Sequence, residues 1–258
     1  MRICLAAVLS LATLAAQPAI DSAKIDPATK AQVDELVLAN RILGHEGVLD
    51  AYGHVSIRST RNPNHFFLAR HIAAGTVTAA DIIEYDLDTR PVNDKGMVGY
   101  SERFIHGEIY KLRPDVNAVV HGHAPEIVTF SVMGIPLRPV SHMAAFLAGP
   151  VPIFDTRDFT RDGEMLIRNK DLGHALAQTL GKAPAVLIRG HGAVVVADSL
   201  HVVAGRAYYM NMNARELLQA LMVPGSRITY IQPNEAATMA AQDGYERAWS
   251  LWKEQVRK

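Results

Sequence analysis

Cysteine is almost missing from this chain, and its single thiol, Cys4, falls among the first few of the 258 residues. Beyond that point nothing can form a disulfide or offer a thiolate to a metal. Histidines and carboxylates are therefore the ligand types that remain. An excess of one charge is also absent, with Lys plus Arg and Asp plus Glu at 26 each. That balance gives no basic field to gather nucleic acid and no acidic surplus of the kind that keeps chains unfolded. Internal repeats and low-complexity segments are lacking. No apolar run reaches the roughly 20 residues that a membrane-crossing helix needs. At 49% hydrophobic and 20% charged residues, the composition is that of a globular domain long enough for one substantial core.

The longest apolar run covers residues 3–16. It follows Met1-Arg2 and ends in Ala15-Ala16 before Gln17-Pro18. A short positive start, an apolar stretch and small residues at its end make the pattern of a secretory signal peptide. Residues 1–19 are thus expected to be a leader and 20–258 a single domain, exported to the periplasm or beyond and free of the membrane once the leader is removed.

Along the rest of the chain, Asp26-Pro27 opens an expected helix whose stripe is Val33, Leu36, Val37, Ala39 and Leu43, ended at Gly47. Alternation over 54–58, a turn at Asn62-Pro63-Asn64 and the run Phe66-Phe67-Leu68 read as two strands. Further strands are expected at 82–87, at 117–121 and on either side of Gly190-His191-Gly192. Helices are expected from Ser101, as cap, to Leu112, then over 126–132, 165–180, 200–222 and 235–256. Strands interleaved with helices imply a layered α/β domain.

Three segments carry chemistry. In Val119-Val120-His121-Gly122-His123 the two histidines lie two apart on a strand, so they share a face and can bring two imidazoles to one divalent ion. The same spacing also fits two hydrogen-bonded residues at a strand end. In Gly190-His191-Gly192 a histidine stands between glycines and between two apolar runs, which allows a tight turn or a close approach. It reads either as a third ligand or as a turn residue. In Tyr100-Ser101-Glu102-Arg103-Phe104-Ile105-His106 the glutamate falls at a helix start, where the dipole favours its ionised form. His106 follows one turn on, and a buried structural role is expected for it.

These segments, in this order, resemble the class II aldolase/adducin family. The resemblance begins at Gly53-His54-Val55-Ser56-Ile57-Arg58 and continues through Ser101-Glu102, His106 and Tyr110. It then takes in 113–123, Arg113-Pro114-Asp115 through His121-Gly122-His123, and closes at His191-Gly192. It implies a three-layer α/β/α domain with a central, mainly antiparallel sheet. It implies one divalent ion on His121, His123 and His191, with Zn²⁺ first in order and Mn²⁺, Fe²⁺ or Co²⁺ also suited to imidazole. It further implies Glu102 as the acid/base residue and extra ligand, and a homotetramer with its site near a subunit interface.

The departures narrow the substrate. His54 stands where the sugar-phosphate members have asparagine. Phe67-Leu68-Ala69-Arg70-His71 replaces their small, hydroxyl- and glycine-rich phosphate loop. A phosphorylated sugar is therefore not expected, and the guanidinium fork of Arg70 suits a carboxylate instead. His54, His71, Tyr100 and His142 complete the expected substrate-binding set. The segments 44–54 and 139–147 resemble a branch of decarboxylases for hydroxylated aromatic or pyridine dicarboxylates. The expected activity is thus a metal-dependent carbon–carbon lyase, a decarboxylase or aldolase acting on a small hydroxylated or keto carboxylate. Glu102 would need burial to raise its pKa before it could serve as an acid at neutral pH. Two other readings are an iron-dependent oxygenase of hydroxyphenyl keto acids and an adducin-like binding protein.

Overall fold

A computed structural model describes residues 26–92, 96–240 and 244–256, so the leader expected over 1–19 lies outside the described residues. Helix α1 (Pro27–His45) is capped as the sequence implies, with Asp26 accepting from the Ala28 and Thr29 amides. Its stripe of Val33, Leu36, Ala39, Ile42 and Leu43 is buried. Seven strands follow in one sheet: β1 (His54–Arg58), β2 (His65–Ala69), β3 (Ile82–Asp86), β4 (Ala118–Gly122), β5 (Ile153–Phe154), β6 (Ala185–Ile188) and β7 (Gly192–Ala197). Their order is β3-β2-β1-β4-β7-β6-β5. Every pairing is antiparallel except β5 with β6.

Every residue of β1 and β7 is buried. A strand with no exposed position is covered on both faces, which makes the domain three-layered. On one side Ser56 of β1 meets His106 and Tyr110 of α2 (Phe104–Leu112). On the other, Val120 and Val195 meet Ala207 and Met210 of α5 (Leu200–Leu221) around one small void. Helices α3 (Pro125–Val132) and α4 (Lys170–Leu180) complete the layers. No helix among the described residues is long and apolar enough to cross a membrane.

Three expected boundaries move, each for a physical reason. Ser101 does not cap α2, which starts at Phe104 after a turn with no side-chain cap. Helix α4 starts at Lys170 rather than at 165, capped by Asn169 on the Leu172 amide at 2.9 Å. The residues ahead of it are bound to the site instead. The long helix expected over 235–256 is two, α6 (Pro233–Ala240) and α7 (Glu246–Val256), with Tyr245 between them at a φ of 53°. That left-handed residue stands outside both helices, directly ahead of α7. It lets α7 return along α1 and α5 with Trp249 and Trp252 buried.

Candidate metal centre and active site

Strand β4 carries His121 and ends at Gly122, and His123 just past its end brings its ring to the first. His121 is fully buried, His123 stands two residues on, and their Nε2 atoms lie 3.0 Å apart. The third arrives from the turn between β6 and β7. There Gly190 takes a φ of 64° and the His191 amide donates to the Ile188 carbonyl at 3.0 Å. Gly192 permits the approach, because a Cβ there would overlap the carbonyl oxygen of Gly122 on β4. The partner atom is backbone and cannot swing aside. Gly192→Ala is therefore expected to cost about 1–3 kcal/mol in urea unfolding and to weaken metal binding by moving His191 off the pair.

All three rings are oriented from behind. The Nδ1 of His121 faces the Ala193 carbonyl at 3.0 Å, that of His123 the Asp50 carboxylate at 3.0 Å, and that of His191 the Met165 carbonyl at 3.1 Å. An acceptor behind each Nδ1 holds the proton there and leaves Nε2 as a bare lone pair. Those lone pairs converge, and with Glu102 their ligand atoms lie within 4.8 Å of one another. Two bare nitrogens 3.0 Å apart repel unless a cation lies between them. The donor set therefore fits a divalent ion of the zinc type, for which three imidazoles with an adjoining carboxylate are suitable.

Glu102 sits in the turn before α2. Its Oε1 accepts from the Ile167 amide at 2.8 Å, while Oε2 lies 3.5 Å from His191 Nε2 and 3.7 Å from His121 Nε2. Burial pushes its pKa up, whereas the hydrogen bond from the Ile167 amide and the positive charge of an ion on the neighbouring histidines would favour the carboxylate. Glu102 is thereby suited to be a ligand or a base beside the histidines.

A cavity of about 390 Å³ opens above this cluster, a size suited to a small ligand. Glu102, His123, His54, His71 and Tyr100 line it. Tyr100 is held by its own hydroxyl, which donates to the Ile72 carbonyl, and burial raises its pKa to about 12. It offers the ligand a ring face rather than a proton, with His54 at 4.4 Å and His71 edge-on at 5.7 Å between centroids. Two expected substrate-binding residues are not brought in. The Nε of Arg70 is bound to Asp81 at 2.6 Å and Arg70 lies outside the cavity lining. His142 is exposed on a 3₁₀ segment that packs against α5 and α6.

Asp50 was not anticipated as a site residue. Its Oδ1 accepts from the Tyr52 and Gly53 amides at 2.9 Å each, a turn that aims the carboxylate at His123. The only local sign is an aspartate three residues ahead of Gly53. Asp50→Asn is expected to weaken metal affinity by about 10–100-fold with little change in folding, as read by titration with a chromogenic chelator.

Residues 34–218 match the family model described as the class II aldolase and adducin N-terminal domain. The chain belongs to this family. Among its relatives, the decarboxylase tropJ of Talaromyces stipitatus is 36% identical over 239 residues, 83% of this chain and 90% of tropJ. The 3,4-dihydroxyphthalate decarboxylase of Arthrobacter keyseri is 29% identical over 250 residues, 90% of this chain and 96% of that enzyme. The solved aldolase II superfamily protein of Pseudomonas syringae shares the fold at a TM-score of 0.76 and 19% identity, over 91% of this chain and 95% of its own. The family match and the decarboxylase relatives make this chain a lyase, on the family's decarboxylase branch.

Proposed function

We propose that this chain is a divalent-metal-dependent decarboxylase of a small hydroxylated aromatic or keto carboxylate. One observation carries the reading: three backed imidazoles turn bare Nε2 atoms on one point, beside an ionised glutamate, under a cavity of small-ligand size. His121, His123 and His191 would hold the ion, with Glu102 beside them. When bound, the ion supplies Lewis acidity at a substrate oxygen next to the bond that breaks.

The protein's own groups manage the proton. As a carboxylate lining the cavity, Glu102 takes the proton of a substrate hydroxyl beside it. Departure of carbon dioxide leaves an electron pair on carbon, and Glu102 returns the same proton there, so atoms and charge balance. His71 and the Tyr100 ring wall the cavity and restrict water around the reacting bond. The relatives named for decarboxylation support this choice over aldol cleavage. So does the segment Phe67–His71, where β2 ends with no phosphate cradle.

The test is carbon dioxide release from hydroxylated benzene- and pyridine-dicarboxylates by purified protein, with and without a chelator and with Zn²⁺, Mn²⁺, Fe²⁺ or Co²⁺ restored. Release that stops on chelation and returns with one of these ions supports the reading. Oxygen uptake with iron would replace it by an oxygenase. Export through residues 1–19 and assembly as a homotetramer belong to the same proposal and are read from the mass of the mature chain and from light scattering.

A further inference from the structure

Behind the cavity wall runs a file of buried polar groups for which the metal centre has no use. His54 Nδ1 is 2.7 Å from His106 Nε2, His106 Nδ1 is 2.6 Å from Ser56 Oγ, and Ser56 Oγ is 2.7 Å from the Tyr110 hydroxyl. The Tyr110 hydroxyl in turn reaches the Asn117 carbonyl at 3.3 Å. All four side chains are at most 1% exposed. Both rings are buried and no carboxylate is hydrogen-bonded to either among the described residues, so a charge on them would be uncompensated and both are neutral. Each neutral ring has one proton, and each hydroxyl has one.

With every contact between members carrying one proton and no hydroxyl proton left outside, the file can point in only two senses. In one, His54 donates to His106, His106 to Ser56, Ser56 to Tyr110 and Tyr110 to the Asn117 carbonyl. Every proton then meets a protein acceptor, and the file ends on an oxygen that can only accept. In the other sense the Asn117 contact has no proton, and His54 points an N–H into the cavity without a protein partner. The first sense satisfies more of the buried groups. It leaves the Nε2 of His54, a residue of the cavity lining, as a bare lone pair with no hydrogen bond among the described residues.

We infer that His54 is a specificity residue held in its Nδ1–H tautomer by His106, Ser56 and Tyr110, and that its Nε2 selects a ligand with a second hydroxyl at that wall. His54 accepts from this hydroxyl, whereas Glu102 serves the one at the ion. A dihydroxylated aromatic carboxylate has both donors. A counterpart with hydrogen or methoxy at the second position leaves the lone pair unmatched, and a site built to bond a hydroxyl discriminates against its loss. This inference deepens the decarboxylase reading and rests on it for the ligand class, though not for the tautomer.

Long-range proton–nitrogen NMR on histidine-labelled, metal-free protein separates bare from protonated ring nitrogens, and His54→Gln assigns the signal. The expected result is His54 with Nδ1 protonated and Nε2 bare. Tyr110→Phe removes the acceptor for Ser56, whose hydroxyl then turns to His106 Nδ1. The file reverses and the His54 proton moves to Nε2. Calorimetry with zinc-loaded protein and 3,4-dihydroxybenzoate against its single-hydroxyl counterparts should show about tenfold preference for the dihydroxy probe, lost in Tyr110→Phe. A wild-type His54 protonated at Nε2, or a tautomer unmoved by Tyr110→Phe, would overturn the inference even if carbon dioxide release were found. Failure of every carboxylate to release carbon dioxide would sink the decarboxylase reading and leave the tautomer result standing.

Discussion

His191→Ala is expected to give a folded protein that has lost its metal and, with it, essentially all carbon dioxide release. The choice of histidine matters. His121 is fully buried within the sheet, so truncating it leaves a void among packed strands and confuses binding with folding. His191 instead stands on the β6–β7 turn, and its outward contacts are one backbone carbonyl and the cluster itself. Removing its ring deletes one of three nitrogen ligands while the strand pairing of Val194 with His121 and of Ala193 with Gly122 remains. Thermal melts give the readout. An ion that binds only the folded chain stabilises it by about 2.7 kcal/mol when present at 100 times its Kd. The wild type should therefore melt higher with added Zn²⁺, whereas His191→Ala should melt at one temperature with or without it. A variant that kept the zinc-dependent rise would remove His191 from the ligand set.

The meeting of His121 on β4 with His123 just past its end was legible because strand alternation is local, and two residues apart in extended chain means one face. The approach of His191 was legible in its flanking glycines, and the Gly192–Gly122 contact is that approach. What escaped notice is carried by contacts between distant positions. Asp50 and His123 are 73 residues apart, and Glu102 and the Ile167 amide 65. Neither leaves a periodic trace in the chain. The same contacts explain the helix that starts late. Residues 165–167 give Met165's carbonyl to His191 and Ile167's amide to Glu102, so they stay out of α4 despite an apolar pattern that suits a helix. The hold on Arg70 escaped for a related reason, since the aspartate that binds its Nε lies 11 residues further on, beyond β2.

Glu102→Gln should lower kcat by about 10²–10⁴-fold, the range for a positioned proton-transfer group, while the protein stays folded and still binds its ion. The substitution is nearly isosteric. The amide oxygen can keep accepting from the Ile167 amide, and the amide nitrogen can face the bare Nε2 atoms of His121 and His191, 3.7 and 3.5 Å from the present Oε2. What it removes is the negative charge and the capacity to take a proton. Two roles for Glu102 then separate cleanly. As a proton carrier its loss persists at saturating metal, and KM changes little, because the histidines and cavity walls that hold the ligand are intact. As a ligand only, its loss appears as weaker metal binding, and excess ion restores kcat. With an ion on the histidines and the Ile167 amide donating to it, Glu102 should stay ionised well below neutral pH. Its protonation should therefore not set the acid limb of the pH–rate profile near neutrality, and that limb should be unmoved in the variant. A wild-type limb near neutrality that vanished in Glu102→Gln would mean that the bound ligand restores the raised pKa that burial alone would give.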